Sequence, residues 1–99
     1  MKISIALALL CSLSANVVAQ DVAAGKTKYA TCAACHGAQG QGGAGPKLAG
    51  QPAAAIEKKL TTYKNKGQVG AQSTLMWGMA GGLSPADIKN IAAYTATMK

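Results

Sequence analysis

Two thiols and one imidazole stand together in the pentapeptide Cys32-Ala33-Ala34-Cys35-His36. On a helix, residues three apart lie on one face, so both sulfur atoms can reach the same planar cofactor. His36 follows directly and can bring a nitrogen donor beneath the centre of that cofactor. The spacing is typical of a c-type haem attachment site, in which the thiols form thioethers with the porphyrin vinyl groups and the histidine is the proximal iron ligand. The sequence therefore predicts one covalent haem c.

Three other uses of a Cys-x-x-Cys pair fit the chain less well. A thioredoxin-like redox pair accompanies a βαβ pattern, and no segment shows the sustained alternation of β-branched residues that would indicate a strand. A zinc site needs four ligands from the chain, and the three acidic residues are all distant from the cysteines: Asp21, Glu57 and Asp87. A disulfide between these two cysteines would close too short a loop to stabilise a fold.

The first nineteen residues have the pattern of a signal peptide. Lys2 precedes an apolar run over residues 3–13, and small residues at 17–19 predict cleavage after Ala19. The run is too short to span a hydrocarbon core of about 30 Å. We therefore expect a signal peptide over residues 1–19, a single domain over residues 20–99, a periplasmic location, and no integral membrane segment in the mature chain.

The composition predicts a domain that needs more than its own side chains for a core. The chain has 99 residues, of which 49% are hydrophobic but only 4% are aromatic, and it contains no Phe. Large apolar side chains provide most core burial, and a haem would supply the missing apolar surface. The net charge of +7 comes from lysines without any arginine, which argues against nucleic acid as a partner and is compatible with docking to acidic faces of an oxidase or reductase.

The order of elements predicts an all-α domain. Residues 21–35 are expected to form a first helix, followed by a glycine-rich loop over 37–50. A second helix should start with Pro52 as its first residue and end at Gly67. Its apolar face repeats at helical spacing, through Ile56, Leu60 and Tyr63.

The remaining chain divides into an irregular stretch and a last helix. Residues 68–83 are predicted to be irregular. Ser84 should cap the last helix, with Pro85 in its first position and Asp87 in its first turn. The apolar stripe of this helix consists of Ile88, Ile91, Ala92 and Thr95, with Tyr94 beside it.

These residues together resemble a class I cytochrome c of the small bacterial type, which is similar to one half of the dihaem proteins. The resemblance covers the pentapeptide and Gly37, the segment 46–51, the helix ending at Lys66-Gly67, the Met-x-x-Met before Leu83-Ser84, and residues 91–94. It implies a cytochrome c fold of three to four helices wrapped around a covalently attached haem. It also implies a close crossing of the first and last helices at Gly25, with Tyr94 packed beside it.

The sixth iron ligand is expected to be a thioether, because His36 is the only histidine in the chain. The sulfur candidates in the mature chain are Met76, Met79 and Met98. The resemblance implies Met76, with Met79 as the second choice. It also implies that the backbone carbonyl of Pro46 accepts the Nδ1–H of His36, which would fix the tautomer. Tyr63 and Trp77 could each bind a haem carboxylate or simply pack.

With both axial positions filled, the iron has no place for a substrate, so the sequence predicts an electron carrier rather than an enzyme. Redox partner proteins are the expected partners. Two alternatives stay open: an electron-entry subunit of a larger oxidoreductase, and a haem enzyme or ligand sensor whose sixth ligand can be displaced.

We expect the chain to be unfolded when it is produced without haem attachment. Ordering the backbone and side chains costs about 1.5 kcal/mol per residue, and residues 20–99 have too little large apolar surface to offset that cost. Far-ultraviolet circular dichroism and thermal unfolding of the haem-free chain measure this. A cooperatively folded apoprotein would contradict it.

Overall fold

The computed structural model describes residues 21–70 and 73–99. They form five helices: α1 (Val22–Tyr29), α2 (Ala33–His36), α3 (Ala53–Lys64), α4 (Ser73–Gly81) and α5 (Pro85–Thr95). These residues contain no strand, so the prediction of an all-α fold is confirmed. The predicted signal peptide lies outside the described residues. None of the five helices is long and apolar enough to cross a membrane.

Helix α1 crosses α5 at Gly25, which is buried. A Cβ atom on Gly25 would collide with the backbone carbonyl of Asn90 and lie 3.0 Å from the Cβ of Tyr94. The ring of Tyr29 packs against that of Tyr94, with centroids 5.5 Å apart and planes inclined at 59°, a favourable tilted geometry. The side-chain oxygen of Asn90 also accepts the backbone N–H of Asp21 at 2.9 Å. The close crossing expected at Gly25 is therefore present.

The core lies where α3 and α1 pack on α5. Its buried side chains are Tyr29, Ile56, Leu60, Ile88, Ile91 and Ala92. The apolar faces predicted for the second and last helices are therefore confirmed, although Tyr63 is only half-buried. Pro52 is the N-cap of α3 and not its first residue as predicted, so the helix begins one residue later.

The single first helix predicted over residues 21–35 was wrong, because the chain leaves the helix after Tyr29 and starts α2 at Ala33. The hydroxyl of Thr31 donates to the carbonyl of Lys28 at 3.1 Å. Side chains of this kind offer the backbone an alternative to continued helix. The break separates the pentapeptide from α1 and gives it its own short helix.

The predicted irregular stretch over residues 68–83 was also wrong, because residues 73–81 form α4. Gly78 and Gly81 lower the intrinsic helix propensity of this segment. The structure supplies compensating contacts. Two backbone N–H groups, of Val69 and Gly70, donate to Ser73 Oγ at 2.8 Å each, and Trp77 Nε1–H donates to the carbonyl of Gly67 at 2.9 Å.

Helix α3 ends in a Schellman motif that places Lys66, and not glycine, in the left-handed conformation, with a φ of 62°. The N–H of Gly67 donates to the Thr62 carbonyl at 2.7 Å and that of Lys66 to the Tyr63 carbonyl at 2.9 Å. Gly67 is needed for space, because a Cβ there would lie 2.5 Å from Thr62 Cγ2. The predicted stop at Gly67 is therefore displaced by one residue.

The predicted start of the last helix is confirmed as a capping box. Ser84 Oγ accepts the N–H of Asp87, and the Asp87 carboxylate accepts the N–H of Ser84, both at 3.0 Å. The backbone N–H of Ser84 lowers the pKa of Asp87 below its ordinary value of 3.8, and Lys28, 3.6 Å away, acts in the same direction. Folding therefore favours the ionised carboxylate of Asp87. The ionised side chain stabilises the folded state at pH values above the ordinary carboxyl pKa, and this stabilisation is lost as the pH falls through the lowered pKa.

This pKa shift predicts the pH dependence of an Asp87→Asn variant. The variant should be less stable than the parent at neutral pH, and the difference should shrink as the pH falls through the lowered pKa of Asp87, where the parent carboxylate also becomes protonated. Ser84→Ala should cost about 1 kcal/mol at neutral pH. Thermal unfolding of the haem-loaded proteins across the acid range measures both effects. A difference between the parent and Asp87→Asn that is the same at neutral and strongly acid pH would contradict the assignment.

Candidate haem site

A cavity of about 630 Å³ lies beside the core. Its walls come from α2, the glycine-rich loop, α3, α4 and α5. Several apolar side chains line it, namely Leu48, Ile56, Leu60, Val69, Leu75 and Ile91. Ile56, Leu60 and Ile91 belong to the core as well, so one set of side chains forms the centre of the protein and the wall of the cavity.

The attachment and ligand residues that the sequence favoured all line this cavity. They are Cys32, Cys35, His36, Pro46, Met76 and Met79. Met98, the third sulfur candidate, does not line it and packs instead against the glycine loop, where a Cβ on Gly40 would lie 2.6 Å from its sulfur. The fold thus brings together groups that are separated by as many as 47 positions in the chain.

His36 is buried, with 7% of its surface exposed. Its Nδ1 lies 2.7 Å from the backbone carbonyl oxygen of Pro46. A carbonyl only accepts hydrogen bonds, so Nδ1 carries the proton and Nε2 keeps its lone pair. The imidazole therefore has one nitrogen fixed by the protein and one nitrogen in the form that binds a metal.

The glycine-rich loop wraps closely around this imidazole. A Cβ on Gly45 would lie 2.7 Å from His36 Cε1 and 2.9 Å from its Nδ1, so only a residue without a side chain can lie against the ring. The Gly45 N–H donates to the Cys35 carbonyl at 2.8 Å, and the Gly42 N–H donates to the His36 carbonyl at 2.7 Å. The hydroxyl of Tyr29 donates to the carbonyl of Gly37 at 2.7 Å. These bonds hold the loop against the pentapeptide.

Both cysteines are free thiols; Cys32 is half-buried and Cys35 is exposed. Burial raises the pKa of Cys32, a hydrogen bond with Thr31 opposes that rise, and the neighbouring Cys35 adds to it. A thioether forms by adding an S–H across a vinyl double bond, so two free thiols on one cavity suit covalent haem attachment. No group of three or more His, Cys, Asp or Glu side chains among residues 21–70 and 73–99 is arranged to hold a bare metal ion.

Met76 and Met79 lie on α4, three residues apart, and both line the cavity. The prediction that they lie in an irregular segment was therefore wrong, although both were correctly expected beside the site. Met76 is half-buried and packs against the core, whereas Met79 is 48% exposed. The two sulfur candidates thus differ in how firmly the protein holds them.

A buried imidazole with a fixed tautomer, two free thiols and an apolar cavity inside an all-helical domain define a c-type haem protein. The family model for cytochrome c matches residues 22–99, and the chain belongs to that family. Its cofactor is covalent haem c with its iron, Cys32 and Cys35 fit the attachment motif, and the protein is an electron-transfer haem protein.

Several known proteins are similar over most of the chain. Cytochrome c-554(548) from Halomonas halodenitrificans is 45% identical over 83 residues, which cover 82% of this chain and 100% of that protein. Cytochrome c4 from Pseudomonas aeruginosa is 43% identical over 84 residues, covering 82% of this chain but 40% of that protein. A solved structure of Acidithiobacillus ferrooxidans cytochrome c4 superposes with a TM-score of 0.71 at 31% identity, covering 84% of this chain and 53% of that one.

Sequence reasoning missed three features of the site. Gly45 could not be distinguished from the other loop glycines, because only the folded loop shows which one meets the imidazole. Lys59 was not among the predicted site residues, yet it lines the cavity; its spacing of three from Ile56 was the signal that could have placed it there. The indole N–H of Trp77 is bonded to Gly67, and Trp77 does not line the cavity.

The contact between Gly45 and the imidazole predicts the effect of a methyl group there. Gly45→Ala should destabilise the haem-loaded protein by about 1–3 kcal/mol, because the new Cβ must displace His36 or the loop. Gly70→Ala is the matched control, since Gly70 also lines the cavity and a Cβ there meets nothing within 4 Å. Guanidinium unfolding measures both. Equal effects of the two substitutions would show that the contact is unimportant.

Proposed function

We propose that the protein carries single electrons in the periplasm through a haem c whose iron is bound by His36 and Met76. The observation that carries this proposal is the state of His36: its Nδ1 is bonded to Pro46, and its Nε2 is free to bind iron. The two thiols and Met76 line the same cavity, which supplies the attachment points and a second axial donor.

Met76 is the favoured sixth ligand for two reasons. It is half-buried against the core, whereas Met79 is exposed and Met98 does not line the cavity. His36 is the only histidine in the chain, so a second imidazole cannot come from this chain. A thioether donor raises the reduction potential of a haem relative to a nitrogen donor.

The chain's own residues suit a carrier rather than a catalyst. Haem c supplies exchange of one electron between Fe(III) and Fe(II). His36 and Met76 would occupy both axial positions and leave none for a substrate. The walls formed by Ile56, Leu60 and Ile91 are apolar. The bond from His36 to Pro46 fixes the imidazole, which limits structural change between the two oxidation states.

The proposed location rests on the sequence, and the proposed partners rest on the apolar residues around the opening of the cavity. The basic residue, apolar run and small residues over positions 1–19 support export. Val69, Leu75 and Met79 line the cavity and are also exposed, by 43%, 68% and 48%. An apolar rim of this kind, on a chain with a net charge of +7, suits brief docking to an acidic face of an oxidase or reductase.

Substitution of the two methionines tests the ligand assignment. Met76→Ala should abolish the weak red-edge charge-transfer band of ferric haem with a methionine ligand and should lower the reduction potential. Met79→Ala is the matched control in the same helix and should leave both nearly unchanged. Visible spectra during an anaerobic redox titration measure both properties. The opposite pattern would identify Met79 as the sixth iron ligand.

Carbon monoxide tests the carrier function itself. The reduced parent protein should not take up carbon monoxide, because both axial positions are filled, and Met76→Ala should bind it. Ready uptake by the parent would instead support a haem enzyme or ligand sensor.

A further inference from the structure

Lys59 is the only lysine that lines the haem cavity among residues 21–70 and 73–99. It lies on α3 between Ile56 and Leu60, which are buried in the core. Its own side chain is half-buried. A half-buried ammonium group in an otherwise largely apolar wall is costly unless a partner satisfies it.

The protein holds this ammonium group in place through Gln51. Lys59 Nζ donates to Gln51 Oε1 at 2.7 Å, and Gln51 Nε2 donates to the backbone carbonyl of Lys47 at 2.9 Å. The second bond fixes which end of the amide faces Lys59. An ammonium group has three N–H donors, and Gln51 uses one of them, so two remain for a further partner.

Tyr63 lies one helical turn after Lys59 and also lines the cavity. Burial raises the pKa of its hydroxyl, which therefore stays protonated near neutral pH and can donate a hydrogen bond. Gln51, Lys59 and Tyr63 therefore all contribute polar groups to the lining of the cavity.

Haem c carries two carboxylates, and a carboxylate taken into a protein needs a cation or several donors. We propose that the Lys59 ammonium, oriented by Gln51, pairs with one haem carboxylate, with the Tyr63 hydroxyl as a second donor, and that this pair raises the reduction potential. The physical reason is that neutralising a negative charge near the iron disfavours Fe(III) relative to Fe(II). This inference rests on the proposed function, since it requires haem in this cavity.

Lys58 provides a matched control for Lys59. The two lysines are adjacent on α3 and carry the same charge. Lys58 is exposed, does not line the cavity and lies on another face of the helix, beside Glu57, Thr61 and Thr62. An exposed charge is screened by salt, with a screening length of about 8 Å at physiological ionic strength, whereas a half-buried pair is screened much less.

The test compares Lys59→Gln and Lys58→Gln in the haem-loaded protein. Lys59→Gln should reduce the equilibrium constant for reduction by about threefold or more, and this decrease should persist at high salt. Lys58→Gln should have a smaller effect that disappears at high salt. Lys59→Arg should restore most of the potential, and Gln51→Leu should lower it in the same direction but by less. Circular dichroism establishes that each variant is folded.

Two results would overturn the proposal. One is an equal shift for Lys59→Gln and Lys58→Gln, which would mean that Lys59 acts only as a distant charge. The other is a solved structure of the haem-loaded parent in which Lys59 Nζ lies more than about 4 Å from every carboxylate oxygen. The red-edge band keeps this outcome separate from the ligand assignment. If the parent lacks that band, methionine ligation fails, whereas the carboxylate pairing is judged by the potentials and by the Lys59 distance.

Discussion

The hydrogen bond between His36 Nδ1 and the Pro46 carbonyl is the contact on which the site depends. It forms only because the loop from Gly37 to Gly50 folds back on α2, with several glycines at positive φ and Gly45 directly against the ring. Once the bond is made, the imidazole can neither rotate nor exchange tautomers freely. The glycines of this loop are therefore needed to position His36 Nε2 for binding a metal.

The second constraint is that the core and the cavity share their walls. Ile56, Leu60 and Ile91 face both, so the helices pack on each other along only part of their apolar surface and leave the remainder for the cofactor. A chain with 4% aromatic residues has few large side chains to fill such a space. For this reason, a substitution that weakens the core is also expected to disturb the haem site. The thioether bonds keep the haem attached to the chain.

The sequence was most informative where a local pattern determines structure. The capping box at Ser84 and the faces of α3 and α5 depend on neighbours within one or two turns, and these predictions are confirmed. The haem c that the pentapeptide indicates is confirmed by the family match. Helix α4 was not predictable in this way, since its glycines disfavour helix and it forms through contacts of Ser73 and Trp77 with residues before it. The break after Tyr29 accompanies a bond from Thr31 to Lys28, and the helix propensities of the segment gave no sign of it. The inward position of Lys59 agrees with its spacing of three from Ile56, but a charged side chain is ordinarily expected on the solvent face.

The crossing of α1 and α5 has a consequence for the order in which the protein can form. Asp21 and Asn90 are joined by a hydrogen bond although 69 positions separate them, and the packing at Gly25 requires a helix near the other end of the polypeptide. Forming this crossing therefore requires closure of a long loop, and the entropic cost of that closure makes the step slow compared with forming either helix.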